Sequence, residues 1–184
     1  QNVNGFFEDK TLPAQVYSTP GNEYSWGCNF FDYDNDGWVD LFVSFGHLID
    51  SLSSPENKLY QNNANGVDFT DVSAAENMDD DSRTRNSIFA DYDNDGDLDM
   101  FLVNYNDLCV LKRNDLSNGN HYIKIKLIGS PSNRDGVGSK IRIVSPTTGT
   151  QYFETRSGSS LGGGDEAGAH FGLGSDSDIE SVTI

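Results

Sequence analysis

The stretch FFDYDNDGWVDLFVSFG at residues 30–46 places Asp32, Asp34, Asp36 and Asp40 within nine positions and then runs straight into apolar and aromatic side chains. Carboxylates this close repel one another, so the chain must either leave them in water or supply a cation. The stretch returns at residues 89–105 as FADYDNDGDLDMFLVNY, with Asp91, Asp93, Asp95 and Asp99 in the same register 59 positions on. A pattern that recurs together with its flanking strand signals points to supersecondary units stacked on one another.

The repetition extends beyond the aspartates. GFFEDKT at 5–11 resembles VDFTDVS at 67–73, and KLYQNN at 58–63 has a looser counterpart in LKRND at 111–115. Short apolar runs such as LFVSF and MFLVN read as strands, and the Asn, Asp, Gly and Ser clusters between them read as turns. Helical periodicity is confined to a turn or two around AAENMDDDS at 74–82. After NGN at 118–120 the character changes. HYIKIKLIG, SKIRIVS and TQYFETR alternate polar and apolar residues as half-buried strands do. The expected division is therefore 1–115, two calcium-loop repeats, and 116–184, a small antiparallel β module.

The spacing D-x-D-x-D-G is calcium chemistry. Calcium takes about six to eight oxygens, and alternate residues of a tight loop can turn their carboxylates inward. Gly37 and Gly96 stand at the sixth position, where the backbone must bend sharply. The seventh residues, Trp38 and Asp97, would present their backbone carbonyls, and Asp40 and Asp99 at the ninth position complete the two sets. Two calcium ions are expected. An EF-hand would need a bidentate Glu at the twelfth position and flanking helices, whereas Val43 and Leu102 stand there inside strand-like runs. Magnesium fits less well, because it retains its own waters. The acidic run Asp79, Asp80, Asp81 lacks both the alternation and the glycine and reads as a solvated loop.

With 29 acidic against 12 basic residues, the formal charge is -17. Nucleic acid and anionic membranes are poor partners for such a surface, and divalent cations are good ones. No apolar run has the length of a membrane span, so membrane insertion is not expected. A start at Gln1 is what a processed, secreted chain would show, and the expected location is extracellular or at the cell surface. Cys28 and Cys109 allow one disulfide or two free thiols, and spacing does not choose between them.

FDYDNDGWVDLFV and ADYDNDGDLDMFLV, with LYQNN after the first, resemble the FG-GAP and VCBS repeats of integrin-α-like β-propellers. NHYIKIKLIG, SNRDGVGSKIRI, SGSS and HFGLG are similar, in that order, to the ASPIC/UnbV module that follows such repeats in the cartilage acidic protein family. The resemblance implies a mainly β fold: two propeller-type repeats with calcium loops, then a small antiparallel β module. It implies Asp32, Asp34, Asp36 and Asp40, then Asp91, Asp93, Asp95 and Asp99, as calcium ligands, and assigns no role elsewhere. Two repeats are too few to close a propeller, which takes roughly four to eight blades. The chain also stops at DIESVTI, where the family pattern continues.

Catalysis is not expected, because the clustered carboxylates are committed to cations and His47, His121 and His170 lack any accompanying nucleophile or ligand motif. The expected role is an extracellular, calcium-stabilised structural or assembly protein. Its sheet edges would join copies of itself, in the extreme as a filament, or the remainder of a larger chain. The alternative is a fragment of a propeller-type adhesion module that binds glycans or extracellular proteins, with Tyr24, Trp26 and Trp38 as the aromatic platform.

Overall fold

The computed structural model describes residues 2–3, 6–16, 24–47, 54–131 and 133–184. The described residues form fourteen strands and no helix: β1 (Asn2–Val3), β2 (Phe6–Phe7), β3 (Ser25–Phe31), β4 (Asp40–Phe45), β5 (Lys58–Asn62), β6 (Phe69–Asp71), β7 (Thr84–Ala90), β8 (Asp99–Asn104), β9 (Val110–Lys112), β10 (His121–Ile125), β11 (Lys140–Ser145), β12 (Gly149–Glu154), β13 (Ala169–Gly174) and β14 (Ser181–Thr183). All pairings are antiparallel. The sheets run β3-β4-β5-β6, β7-β8-β9, β10-β13 and β12-β11-β14, with a β1-β2 hairpin. The described strands close no barrel. The helical turns expected near 74–82 reduce to hydrogen-bonded turns, with Glu76 N–H donating to Val72 O and Met78 N–H to Ser73 O.

The duplication read in the sequence is a duplication of sheet geometry. In the first sheet Phe31 pairs with Asp40, and in the second Ala90 pairs with Asp99. The register shifts fall at equivalent places, between Ser25 and Gly27 and between Thr84 and Asn86. These two sheets pack on one another through Phe31, Phe42, Leu59, Phe89, Met100 and Leu102. Phe31 and Phe89 stack with ring centroids 4.0 Å apart. Phe42, Leu59 and Leu102 are fully buried, so each removes a large apolar surface from water.

Away from the aspartate loops the same interface turns polar. Asn29 Nδ2 donates to Ser87 O and Oγ, Asn57 Nδ2 donates to Thr84 Oγ1, and Thr84 Oγ1–H donates to Asn104 Oδ1, all at 2.8–2.9 Å. Such groups tolerate burial only because they are paired. Arg85 also bridges the two units: its guanidinium lies 4.4 Å from the Trp26 ring centroid and 5.0 Å from that of Tyr105, and it donates to His47 O. The face of Trp26 is therefore occupied by a cation. Trp26 stands near the start of β3, and Trp38 lies in the loop between β3 and β4.

The C-terminal strands make their own core of Ile141, Ile143, Ala169, Phe171 and Leu173. β11 carries Ile141 and Ile143 inward at alternate positions, as its sequence pattern requires. The glycine-rich segment between β12 and β13 lies along the edge of β7, where Phe89 N–H donates to Asp165 Oδ1 and Glu166 N–H donates to Phe89 O. Cys28 and Cys109 are both free and exposed.

Truncation of Phe42 to Ala is expected to cost about 3–5 kcal/mol of unfolding free energy. Truncation of Tyr152, 74% exposed, should cost under about 0.5 kcal/mol. Denaturant midpoints at constant m-value check both.

Candidate metal centres

Each loop joins the first and second strands of its sheet, β3 to β4 and β7 to β8. The chain turns through a left-handed residue at the fourth position, Asn35 (φ 58) and Asn94 (φ 63), and through glycine at the sixth, Gly37 (φ 91) and Gly96 (φ 100). Asparagine and glycine are the residues that adopt this backbone at least cost. The turn brings together one oxygen each from Asp32, Asp34 and Asp40, and one each from Asp91, Asp93 and Asp99, within 4.8 Å of one another. Asp32, Asp34, Asp40, Asp91 and Asp99 are buried, and Asp93 is exposed.

The ninth-position aspartates are tied to the sheet identically. Asp40 Oδ2 accepts from Tyr33 N–H at 3.0 Å and Oδ1 from Asn62 N–H at 2.8 Å; Asp99 accepts from Tyr92 N–H at 3.0 Å and Asn114 N–H at 2.9 Å. Asp34 Oδ2 accepts from Gln61 Nε2 at 2.8 Å, and the Arg113 guanidinium stands 3.8 Å from Asp93. Asp36 and Asp95 are not in the gathered triads. Each accepts instead from a backbone N–H of its own loop, that of Trp38 or Asp97. Asp32 accepts from the N–H groups of Asp36 and Gly37 at 3.1 and 2.9 Å.

The electrostatics are those of a site short of positive charge. Burial, with repulsion from Asp40, raises the Asp32 carboxyl well above the usual carboxylate range. Burial pushes Asp40 up to about 8, against the two backbone N–H groups that favour its charged form. Asp36, Asp97 and Asp99 are raised as well, each mainly by burial. In the second loop, Lys124 Nζ is 3.7 Å from Asp91 Oδ2 but is closer to Glu166, at 2.7 Å. Asp91 Oδ1 is buried and has no hydrogen-bond donor among the described residues. A lone pair held in this way is costly unless something positive meets it. Hard oxygen donors at alternate positions suit a divalent cation of calcium's size, which supplies positive charge and tolerates irregular geometry.

The C-terminal segment rests on these loops, a docking not anticipated from the sequence. Three consecutive carbonyls of the first loop are capped from downstream: Tyr33 O accepts from Asn114 Nδ2 at 2.7 Å, Asp34 O from Asn118 and Asn120 Nδ2 at 2.5 and 2.9 Å, and Asn35 O from Gly174 N–H at 2.8 Å. Gly172 packs flat against the first loop, where a β-carbon would overlap the Asp32 carboxylate and the Asn35 backbone. Tyr122 lies against Gly96, whose β-carbon would fall inside its ring. His170, stacked on Tyr122 with centroids 5.5 Å apart, donates from Nε2 to Asn35 Oδ1 at 2.7 Å. Burial pushes His170 down to about 4, which keeps the imidazole neutral at pH 7. His47 is buried and its N–H donates to Ser54 Oγ at 3.3 Å, and His121 is exposed. The signal that could have revealed the docking is the set of asparagines at 114, 118 and 120 and the glycines at 172 and 174 of β13.

Residues 129–184 match the family described as ASPIC and UnbV. The matched span begins after β10 and contains its pairing partner β13. No curated protein matches the chain.

Gly172→Ala is expected to destabilise the protein by about 1–3 kcal/mol through forced separation of β13 from the first loop. Gly168→Ala, whose nearest new neighbour would be Ile125 O at 3.5 Å, should be near neutral. Thermal melts in the same buffer compare the two.

Proposed function

We propose that this is an extracellular calcium-binding protein of structural or assembly type, its repeats of the FG-GAP/VCBS kind, each holding one calcium ion. The observation that carries the reading is the pair of equivalent carboxylate triads, largely withdrawn from solvent and with Asp91 Oδ1 left without a donor. Asp32, Asp34 and Asp40 would hold one ion and Asp91, Asp93 and Asp99 the other, with the carbonyls of Trp38 and Asp97 as further donors. Bound calcium supplies the charge that lets these carboxylates stay ionised away from water.

Assembly is supported by an asymmetry between the two sheets. Phe42 and Leu59 pair across β4 and β5 and are fully buried against the second sheet. Their equivalents Phe101 and Leu111 pair across β8 and β9 and remain 39% and 51% exposed. An apolar face that is covered in one unit and open in the next suits a head-to-tail partner, either a copy of this chain or further sheets of a larger one. The β7 edge at Phe89 is already engaged, so pairing through edges would fall to outer strands such as β9, β6 and β14.

A second reading, a glycan- or protein-binding module, is favoured by the groove of about 410 Å³ between the first loop and β12. Phe30, Trp38 and Tyr152 line it and are 62%, 38% and 74% exposed.

Metal analysis and calorimetry at millimolar calcium are expected to give about two ions per chain and a higher melting temperature than in chelator. Asp34→Ala and Asp93→Ala should each lose one ion, and Asp80→Ala none. Absence of calcium binding, or equal loss at Asp80→Ala, overturns the reading. Sedimentation in calcium should show concentration-dependent association that Leu111→Lys abolishes; a stable monomer at high concentration removes the assembly role and leaves the calcium reading intact.

A further inference from the structure

Asn35 is the point at which both loops and the C-terminal strands meet. It stands at the fourth position of the first loop, and its side chain is 2% exposed. The amide nitrogen donates across the gap to Asp97 Oδ1 at 2.8 Å and to Gly96 O at 3.2 Å. The amide oxygen accepts from His170 Nε2 at 2.7 Å, and the main-chain carbonyl accepts from Gly174 N–H at 2.8 Å. One residue thus ties the first loop to the second loop and to β13. A left-handed turn explains the presence of asparagine there but not these contacts. Asn94 has the same turn geometry in the second loop, and its side chain is exposed.

The residues that Asn35 grips are those that matter for the second ion. Gly96 sets the sharp bend, and Asp97 carries the seventh-position carbonyl. Asp97 holds Asn35 with its carboxylate, so its carbonyl and its side chain face different tasks.

We propose that Asn35 is a positioning residue that couples the two metal sites to each other and to the C-terminal module. The two ions then bind with positive cooperativity, and loading tightens β10 and β13 onto the loops. This rests on the calcium reading above. An ion in the first loop fixes residues 32–40 and therefore the Asn35 amide. Gly96 and Asp97 are then already ordered when the second ion arrives, and that ordering is not charged a second time. Linkage makes the effect mutual, so an ion in the second loop helps the first by the same factor. Because His170 and Gly174 hold the same residue, order in the loops is passed to β13.

The test is a calcium titration by calorimetry on the full chain, with amide hydrogen exchange followed at residues 121–125 and 169–174. The wild type should bind two ions, the second at least about fivefold tighter than the first, with exchange in both segments slowed by calcium. Asn35→Gly keeps the left-handed backbone and deletes the amide. It should still bind two ions, now independently, with calcium no longer slowing exchange in β13. Asp97→Ala should also lose the cooperativity, and Asp97→Asn, which retains an oxygen acceptor at that place, should restore it. This pair keeps the test sound if the glycine variant folds poorly. Two ions bound independently by the wild type, or cooperativity undiminished in both Asn35→Gly and Asp97→Ala, overturns the coupling and leaves the calcium reading standing. No bound calcium overturns both.

Discussion

Carboxylates withdrawn from water at the mouth of each sheet are the constraint on which the rest of the molecule depends. A buried, ionised aspartate is tolerable only with hydrogen bonds or positive charge around it. Asp40 and Asp99 meet the first condition by accepting backbone N–H groups from the loop and from Asn62 at the end of β5 or Asn114 just beyond β9. The same bonds fix where the second and third strands sit, so strand order and loop shape are set together. Asp32 and Asp91 depart from one another: two loop N–H groups face Asp32, whereas one oxygen of Asp91 faces none. The second site therefore depends more on what charge reaches it from outside the loop.

The C-terminal strands complete the loops from the other side. A tight loop that turns carboxylates inward leaves backbone carbonyls pointing outward, and each needs a donor if it is covered. Asn114, Asn118, Asn120 and Gly174 supply those donors to three successive carbonyls of the first loop. Close approach is possible because Gly172 and Gly96 carry no side chain at the contact. The module is thus fitted mainly to the carbonyl-bearing side of the first loop, with Gly172 also against the Asp32 carboxylate.

Much of this was legible in the sequence, and the part that was not has a common physical character. The loops were legible because the aspartates they gather are local, with alternate spacing and a glycine at a fixed offset. β11 and β12 were legible because alternation is local too, and the match over residues 129–184 agrees with the motifs seen there. The Arg85 stack on Trp26, the Asn57–Thr84–Asn104 network and the Asn35–Asp97 bond join residues distant in sequence. No periodicity records such pairings. Polar residues within strand runs, such as Asn29 and Thr84, are buried joints between the sheets. The cysteines show the same limit, because Cys28 lies on the exposed side of β3, away from the sheet interface.

Stacking equivalent sheets has a consequence for how far the structure can extend. The two units are related by repetition, so the face that the first presents to the second recurs, open, on the second. Within the chain, that face gains Phe42 and Leu59 as core only because Phe89 and Met100 lie opposite. Phe101 and Leu111 have the same pairing and no such sheet against them among the described residues. The docked module does not relieve this, since it is spent on the loops and on the β7 edge. A partner that repeated the internal contact would join unlike faces, so it would not form an isologous two-fold dimer and would close into a ring only if its rotation summed to a full turn. Whether such a stack would end as a ring or run on as a fibre would be set by the angle between successive sheets, and within the chain the Asn29 and Arg85 contacts join the two sheets at that angle.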